Sequence, residues 1–127
     1  MQNKLRPKFL ELFTLAPKMA ITAKVSILHR ISGFLLFLSI PCMIYILHKS
    51  LTQPNFYSNM YTVMSLPLIK ILYVVLMAAF IYHMCAGVRF LFLDMDKGVE
   101  IKTAKKTSYI VLVVSLILSI ILGVLIW

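Results

Sequence analysis

Ile71-Leu-Tyr-Val-Val-Leu-Met-Ala-Ala-Phe-Ile-Tyr-His-Met-Cys-Ala-Gly-Val88 is a stretch without a formal charge, closed off by Lys70 and Arg89. As an α-helix it rises about 1.5 Å per residue, so it crosses most of a hydrocarbon core roughly 30 Å thick. Residues 31–47, between Arg30 and His48, and residues 109–127 are charge-free as well. With 61% of its 127 residues hydrophobic, the chain has too little polar surface to solvate a globule. The expectation is an all-α membrane protein of one domain, 1–127. An N-terminal segment, 1–25, precedes transmembrane helices at about 26–48, 68–93 and 108–127. No internal repeat or low-complexity tract interrupts this pattern.

Cations are distributed unevenly around the spans. The first thirty residues carry Lys4, Arg6, Lys8, Lys18, Lys24 and Arg30 against one acid, Glu11, and residues 89–108 add Lys97, Lys102, Lys105 and Lys106. Residues 50–69 carry none. The positive-inside rule therefore puts the N-terminus and the 89–108 connection in the cytoplasm, and the 50–69 connection and Trp127 on the other side. The early cations, Pro7 and Pro17 leave no apolar core for a cleaved secretory signal, so the start is expected to be retained. The net charge of +9 flanks the spans and forms no interleaved basic and aromatic surface. Membrane lipid is thus an expected partner and nucleic acid is not. Tyr57, Tyr61, Tyr109 and Trp127 read as interfacial anchors, and Pro41 as a kink in the first helix. Cys42 and Cys85 read as small hydrophobes, since they lie in apolar spans and form no Cys-x-x-Cys pair.

Two polar clusters stand out against this background. His83 lies deep in its span, where an ionisable group is expensive and needs a partner. For a neutral imidazole the best-suited partner is a metal or a haem iron. Gly87, four residues on, shares the helical face and leaves room for a flat macrocycle or another helix, and Arg89 follows near the membrane surface, within reach of a propionate or a headgroup. The plainer account of His83 is an interhelical hydrogen bond; its depth in lipid favours the ligand. The second cluster is Ser26-Ile-Leu-His29-Arg30-Ile-Ser32-Gly33, in which Ser26, His29 and Arg30 recur on one helical face. A hydroxyl, an imidazole and a fixed cation there suit a polar head on an apolar tail, such as a quinone. Spacing alone favours a simpler account, in which Arg30 snorkels to headgroups and Ser26 caps the helix.

Taken together, Arg6-Pro7, the Ser26–Gly33 stretch, Tyr82-His83 with Gly87-Val88-Arg89 and Asp94, and the ending Gly123-Val-Leu-Ile-Trp127 resemble the cytochrome b subunit of succinate dehydrogenase. The likeness covers nearly the whole chain and is nearest the proteobacterial type, which implies the bacterial inner membrane rather than the mitochondrial one. It implies a subunit of a four-chain succinate:quinone oxidoreductase of respiratory complex II. There a flavoprotein subunit oxidises succinate, an iron–sulfur subunit relays the electrons, and two membrane anchors of three helices each pack into one bundle. Carried over by residue, the resemblance implies that His83 is an axial ligand of haem b, with the opposite ligand from the second membrane-anchor subunit. Ser26 and Arg30 correspond to quinone-binding residues, with ubiquinone the expected substrate. His29, Arg89 and Asp94 are candidates for haem propionate contact or proton relay, and Arg30 also lies where propionates are expected. Some relatives carry a histidine directly after the arginine where this chain has Phe90, which removes one such contact.

The three histidines restrict the haem geometry further. His29 reads as lying at the inner boundary, His48 at the outer end of the first helix and His83 in the inner half of the second. At those depths neither His29 nor His48 opposes His83 across one iron, so a second chain is required. The absence of Cys-x-x-Cys-His excludes covalent haem attachment. Nothing in the chain handles succinate itself, since it carries no dinucleotide fingerprint and no cysteine set for an iron–sulfur cluster. The alternatives are a haem-free structural anchor and a di-haem quinone oxidoreductase subunit that also uses His48. A small transporter is disfavoured by a third span with no ionisable side chain.

Overall fold

The structure, a computed structural model, describes residues 19–127. Lys4, Arg6, Pro7, Lys8, Glu11, Pro17 and Lys18 lie outside the described residues, and with them the Arg6-Pro7 pair and most of the N-terminal charge. Four helices follow: α1 (Ile21–Thr52), α2 (Phe56–Met64), α3 (Pro67–Asp94) and α4 (Ile101–Ile126). Of these, α1, α3 and α4 are long and apolar enough to cross a membrane.

Local chemistry explains where each helix stops. Gln53 ends α1 in an extended conformation (φ −122°, ψ 113°) because Pro54 follows and disfavours the helical region for its predecessor. Leu66 is likewise extended before Pro67, which opens α3 at a position where its missing N–H costs nothing. The C-terminus of α3 closes with a Schellman-type turn: Lys97 N–H bonds the Phe92 carbonyl at 3.0 Å and Asp96 N–H bonds that of Leu93 at 3.0 Å. Asp96 takes the left-handed conformation this turn requires (φ 57°), where glycine is the usual occupant. Pro41 lies within α1, and the helix runs through it to Thr52.

Two features differ from the sequence-based expectation. The 50–69 connection contains a helix, α2, whose Phe56 and Met60 turn inward one helical turn apart while Tyr57 and Tyr61 stay exposed. At nine residues it is too short to show a clear period. The helix α4 begins at Ile101, so Lys102, Lys105 and Lys106 sit in its first turns and not in a loop.

Helix α3 packs against both α1 and α4, and the three long helices alternate in direction. A small core gathers Val25 of α1, Ala86 of α3 and Val111 of α4, with Tyr82, Cys85, Phe90 and Leu112 around it. Buried Ser32, Ser108 and Ser115 sit in the seams, where small side chains let helices approach closely. Large apolar residues such as Phe34, Phe37 and Leu116 face outward. That surface suits contact with lipid or another apolar helix, not water.

Candidate functional site

The imidazoles of His29 on α1 and His83 on α3 lie face to face, with ring centroids 4.1 Å apart and planes inclined by 9°. His29 is eight residues into α1 and His83 eleven residues before the end of α3, roughly 12 and 17 Å along antiparallel helices. The two rings therefore share one depth. The expectation that His29 lies at a different depth from His83 is corrected here, because α1 begins at Ile21, five residues before the expected start at 26 and ten before its charge-free run. The conclusion that these two do not share one iron stands for another reason: stacked rings cannot aim lone pairs at a single atom from opposite sides.

His83 is held by its Nδ1 edge. That nitrogen lies 3.2 Å from the His29 carbonyl oxygen and 3.1 Å from Ser32 Oγ. The Ser32 hydroxyl donates to the same carbonyl at 2.8 Å. A carbonyl only accepts, so Nδ1 must carry the imidazole proton and share it between the two oxygens. The proton on Nδ1 leaves Nε2 with its lone pair free, the arrangement of a metal-ligating histidine oriented by a backbone carbonyl.

Glycines make room for both rings, but not as the sequence suggested. A Cβ built on Gly33 of α1 would stand 2.9 Å from Cε1 of His83, whereas one on Gly87 would meet Nε2 of His29 at 3.5 Å. Gly87 is thus the neighbour of His29 and does not lie beneath His83. Helical side chains lean toward the N-terminal turn, so His83 covers the surface before it and not Gly87, four residues after it. Phe90 closes the other side of His29, with centroids 5.1 Å apart. Nε2 of His29 is buried without a hydrogen-bond partner.

The remaining sequence-predicted residues divide between this centre and its surroundings. Ser26 is half-buried and Arg30 exposed, so the expected common face is split, with His29 turned in to α3 and Arg30 turned out. Asp94 is exposed at the end of α3. Arg89 faces α4: Nε donates to Thr107 Oγ1 at 3.1 Å and Nη2 to the Ala104 carbonyl at 3.2 Å. His48 is exposed near the far end of α1, roughly 28 Å from His29 at helical rise.

Sequence reasoning assigned no role to Ser32, Gly33 or Tyr82. Tyr82 donates its hydroxyl proton to the Val25 carbonyl at 2.9 Å, tying α3 to α1 next to Ser26. The available signal was spacing: Ser32 and Gly33 stand three and four residues after His29 and share its side of the helix. Among the described residues no three His, Cys, Asp or Glu side chains converge on a metal-ion site. What His83 offers is a single nitrogen lone pair.

Comparison with known proteins gives one consistent result. Residues 2–122 match the family described as succinate dehydrogenase/fumarate reductase transmembrane subunit. The succinate dehydrogenase cytochrome b556 subunit of Coxiella burnetii is 37% identical over 112 residues, 87% of this chain and 87% of the relative. Those of Rickettsia felis and Rickettsia prowazekii are each 34% identical over 107 residues, 84% of this chain and 83% of the relative.

Proposed function

The chain belongs to the succinate dehydrogenase/fumarate reductase transmembrane subunit family, and from that premise we propose that it is a cytochrome b anchor that binds haem b through His83 and helps form a quinone-reduction site. Its partners would be a second membrane-anchor subunit, with which it would share the haem, an iron–sulfur subunit and a flavoprotein subunit. Succinate is oxidised on the flavoprotein, and this chain's part is to receive electrons at the membrane.

The observation that carries this reading is the fixed tautomer of His83. With Nδ1–H engaged by the His29 carbonyl and Ser32, Nε2 presents its lone pair, and the hydrogen bond behind it strengthens the ring as a donor. The residues present fit the group, because Gly33 clears the space against the His83 ring and the buried Nε2 of His29 is a polar atom that finds no partner within the described residues. Bound there, haem b supplies a one-electron carrier. Ser26 and Arg30 donate hydrogen bonds to the carbonyl oxygens of ubiquinone, and the arginine's fixed charge stabilises negative charge that develops on reduction. Asp94, exposed at the end of α3, would pass protons from water.

A reduced-minus-oxidised absorption spectrum of the complex co-purified from detergent tests this. His83→Ala should abolish or strongly perturb the b-type bands, and His48→Ala should leave them nearly unchanged. Intact bands in the His83 variant would overturn the assignment. A wild-type complex without haem would make the chain a structural anchor only.

A further inference from the structure

Arg89 is a buried cation without a counter-charge. The residue is only 7% exposed, its two hydrogen bonds go to neutral oxygens, and Nη1 has no partner. Among the described residues no carboxylate pairs with it, and Asp94, Asp96 and Glu100 of the neighbouring turn are exposed. A guanidinium removed from water on these terms calls for an anion from outside the chain. The Arg89 guanidinium lies 5.3 Å from the centre of the Phe90 ring, and its hydrogen bonds run to α4, away from His83.

Beside Arg89, between α3 and α4, lies a cavity of about 410 Å³. Lys97 lines it at the α3–α4 turn, Arg89 and Thr107 line it five and six residues into the flanking helices, and Val88, Phe92 and Ile110 are among its apolar lining residues. None of the three acids lines it. Such a wall is amphiphilic in the sense a phospholipid is, with the exposed Lys97 at the level of the turn and mostly apolar side chains below it. A carboxylate from a protein partner would satisfy the charge but would leave the apolar part without an occupant.

We propose that this cavity binds an anionic phospholipid, with the headgroup phosphate against Lys97 and Thr107 and an acyl chain along Val88, Phe92 and Ile110. Nη1 of Arg89 is covered by neighbouring atoms, so its charge acts through the wall while the exposed Lys97 makes the direct contact. The lipid would pin the α3–α4 turn to the membrane surface and neutralise the buried guanidinium.

The test uses the chain with whatever subunits co-purify, extracted in mild detergent from phosphatidylglycerol-containing membranes. Native mass spectrometry reads the fraction of complexes that keep a phosphatidylglycerol. Lys97→Gln should lower that fraction about fivefold, the effect of one basic residue at a membrane surface, and Lys97→Arg should restore it. Ile110→Trp fills the cavity with every charge in place and should lower retention as much. Lys105→Gln removes a neighbouring charge that does not line the cavity and should change nothing. Equal loss with Lys105→Gln would reduce the effect to general surface attraction and overturn the site, as would unchanged retention in Ile110→Trp. Displacement of the lipid by millimolar inorganic phosphate would make it a headgroup-only anion site and likewise overturn it. A carboxyl-specific cross-link from Lys97 to another subunit in lipid-stripped complex, with no phosphatidylglycerol retained beforehand, would give the place to a protein partner.

Discussion

Nδ1 of His83 and the main-chain carbonyl of His29 lie 3.2 Å apart across the α1–α3 seam, so the backbone of one histidine sets the tautomer of the other. The same carbonyl receives the Ser32 hydroxyl, and Gly33 leaves the space that lets the ring come this close. Three consecutive functions, in orientation, hydrogen bonding and clearance, thus come from a single turn of α1. A histidine oriented in this way presents its Nε2 lone pair in one direction without rotamer searching.

Gly33→Ala should damage haem binding more than Gly87→Ala. The new methyl at 33 would stand 2.9 Å from Cε1 of His83, and the ring is tied by Nδ1 and cannot swing away freely. Overpacking of this kind costs about 1–3 kcal/mol, and at 87 the new contact is an ordinary 3.5 Å. Haem-to-protein ratio by pyridine haemochrome in the two variants checks the order. Ser32→Ala removes one acceptor behind the ligand and should raise the haem midpoint potential while leaving the haem in place.

Ser26→Ala and Arg30→Leu should separate succinate oxidation from quinone reduction. Electrons should still pass to an artificial acceptor that draws from the soluble subunits, and transfer to ubiquinone should fall about ten- to hundredfold, the effect of losing a charge-assisted hydrogen bond of roughly 1.5–3 kcal/mol. Arg30→Leu should be the more severe, since it also removes a fixed charge. Wild-type rate and affinity for quinone in both assembled variants would leave Arg30 as a headgroup anchor.

Asp96→Gly should stabilise the α3–α4 turn. The aspartate sits at φ 57°, a conformation that costs an L-residue roughly 1–2 kcal/mol and glycine little, partly offset by the greater freedom of glycine in the unfolded chain. A thermal midpoint higher by a few degrees in detergent is expected, and a β-branched Asp96→Val should lower it. No change in either variant would mean that the turn melts independently of the bundle.

The cation asymmetry predicts that the end of the bundle carrying Lys97, Lys102, Lys105 and Lys106 faces the cytoplasm and that Trp127 faces away. A reporter active only outside the cytoplasm, fused after Trp127, should be active. Activity of a cytoplasm-only reporter at the same position would reverse the topology.

Long-range apolar runs and charge placement are one-dimensional properties, and they determined the class of the molecule and its three long helices without help from the fold. The depth of His83 in its span likewise marked it as a ligand candidate, because burying an imidazole in lipid is costly wherever the other helices stand. The boundaries at Gln53 and Leu66 carry a signal in the prolines that follow them, but the expected spans placed them at about 48 and 68 instead.

Which groups meet across a seam was decided only by tertiary structure. The offset between α1 and α3 brings His29 level with His83, and the lean of helical side chains toward the N-terminal turn gives the clearance to Gly33 rather than Gly87. Rotation of α3 turns Arg89 to Thr107 on α4 and leaves its Nη1 without a partner. The short α2 escaped notice because a nine-residue helix owes its stability to packing rather than to a readable period. Register, rotation and offset between helices arise from small residues such as Ser32, Ser108 and Ser115 fitting into seams. Contacts of that kind depend on two helices at once, and neither helix's own sequence specifies them.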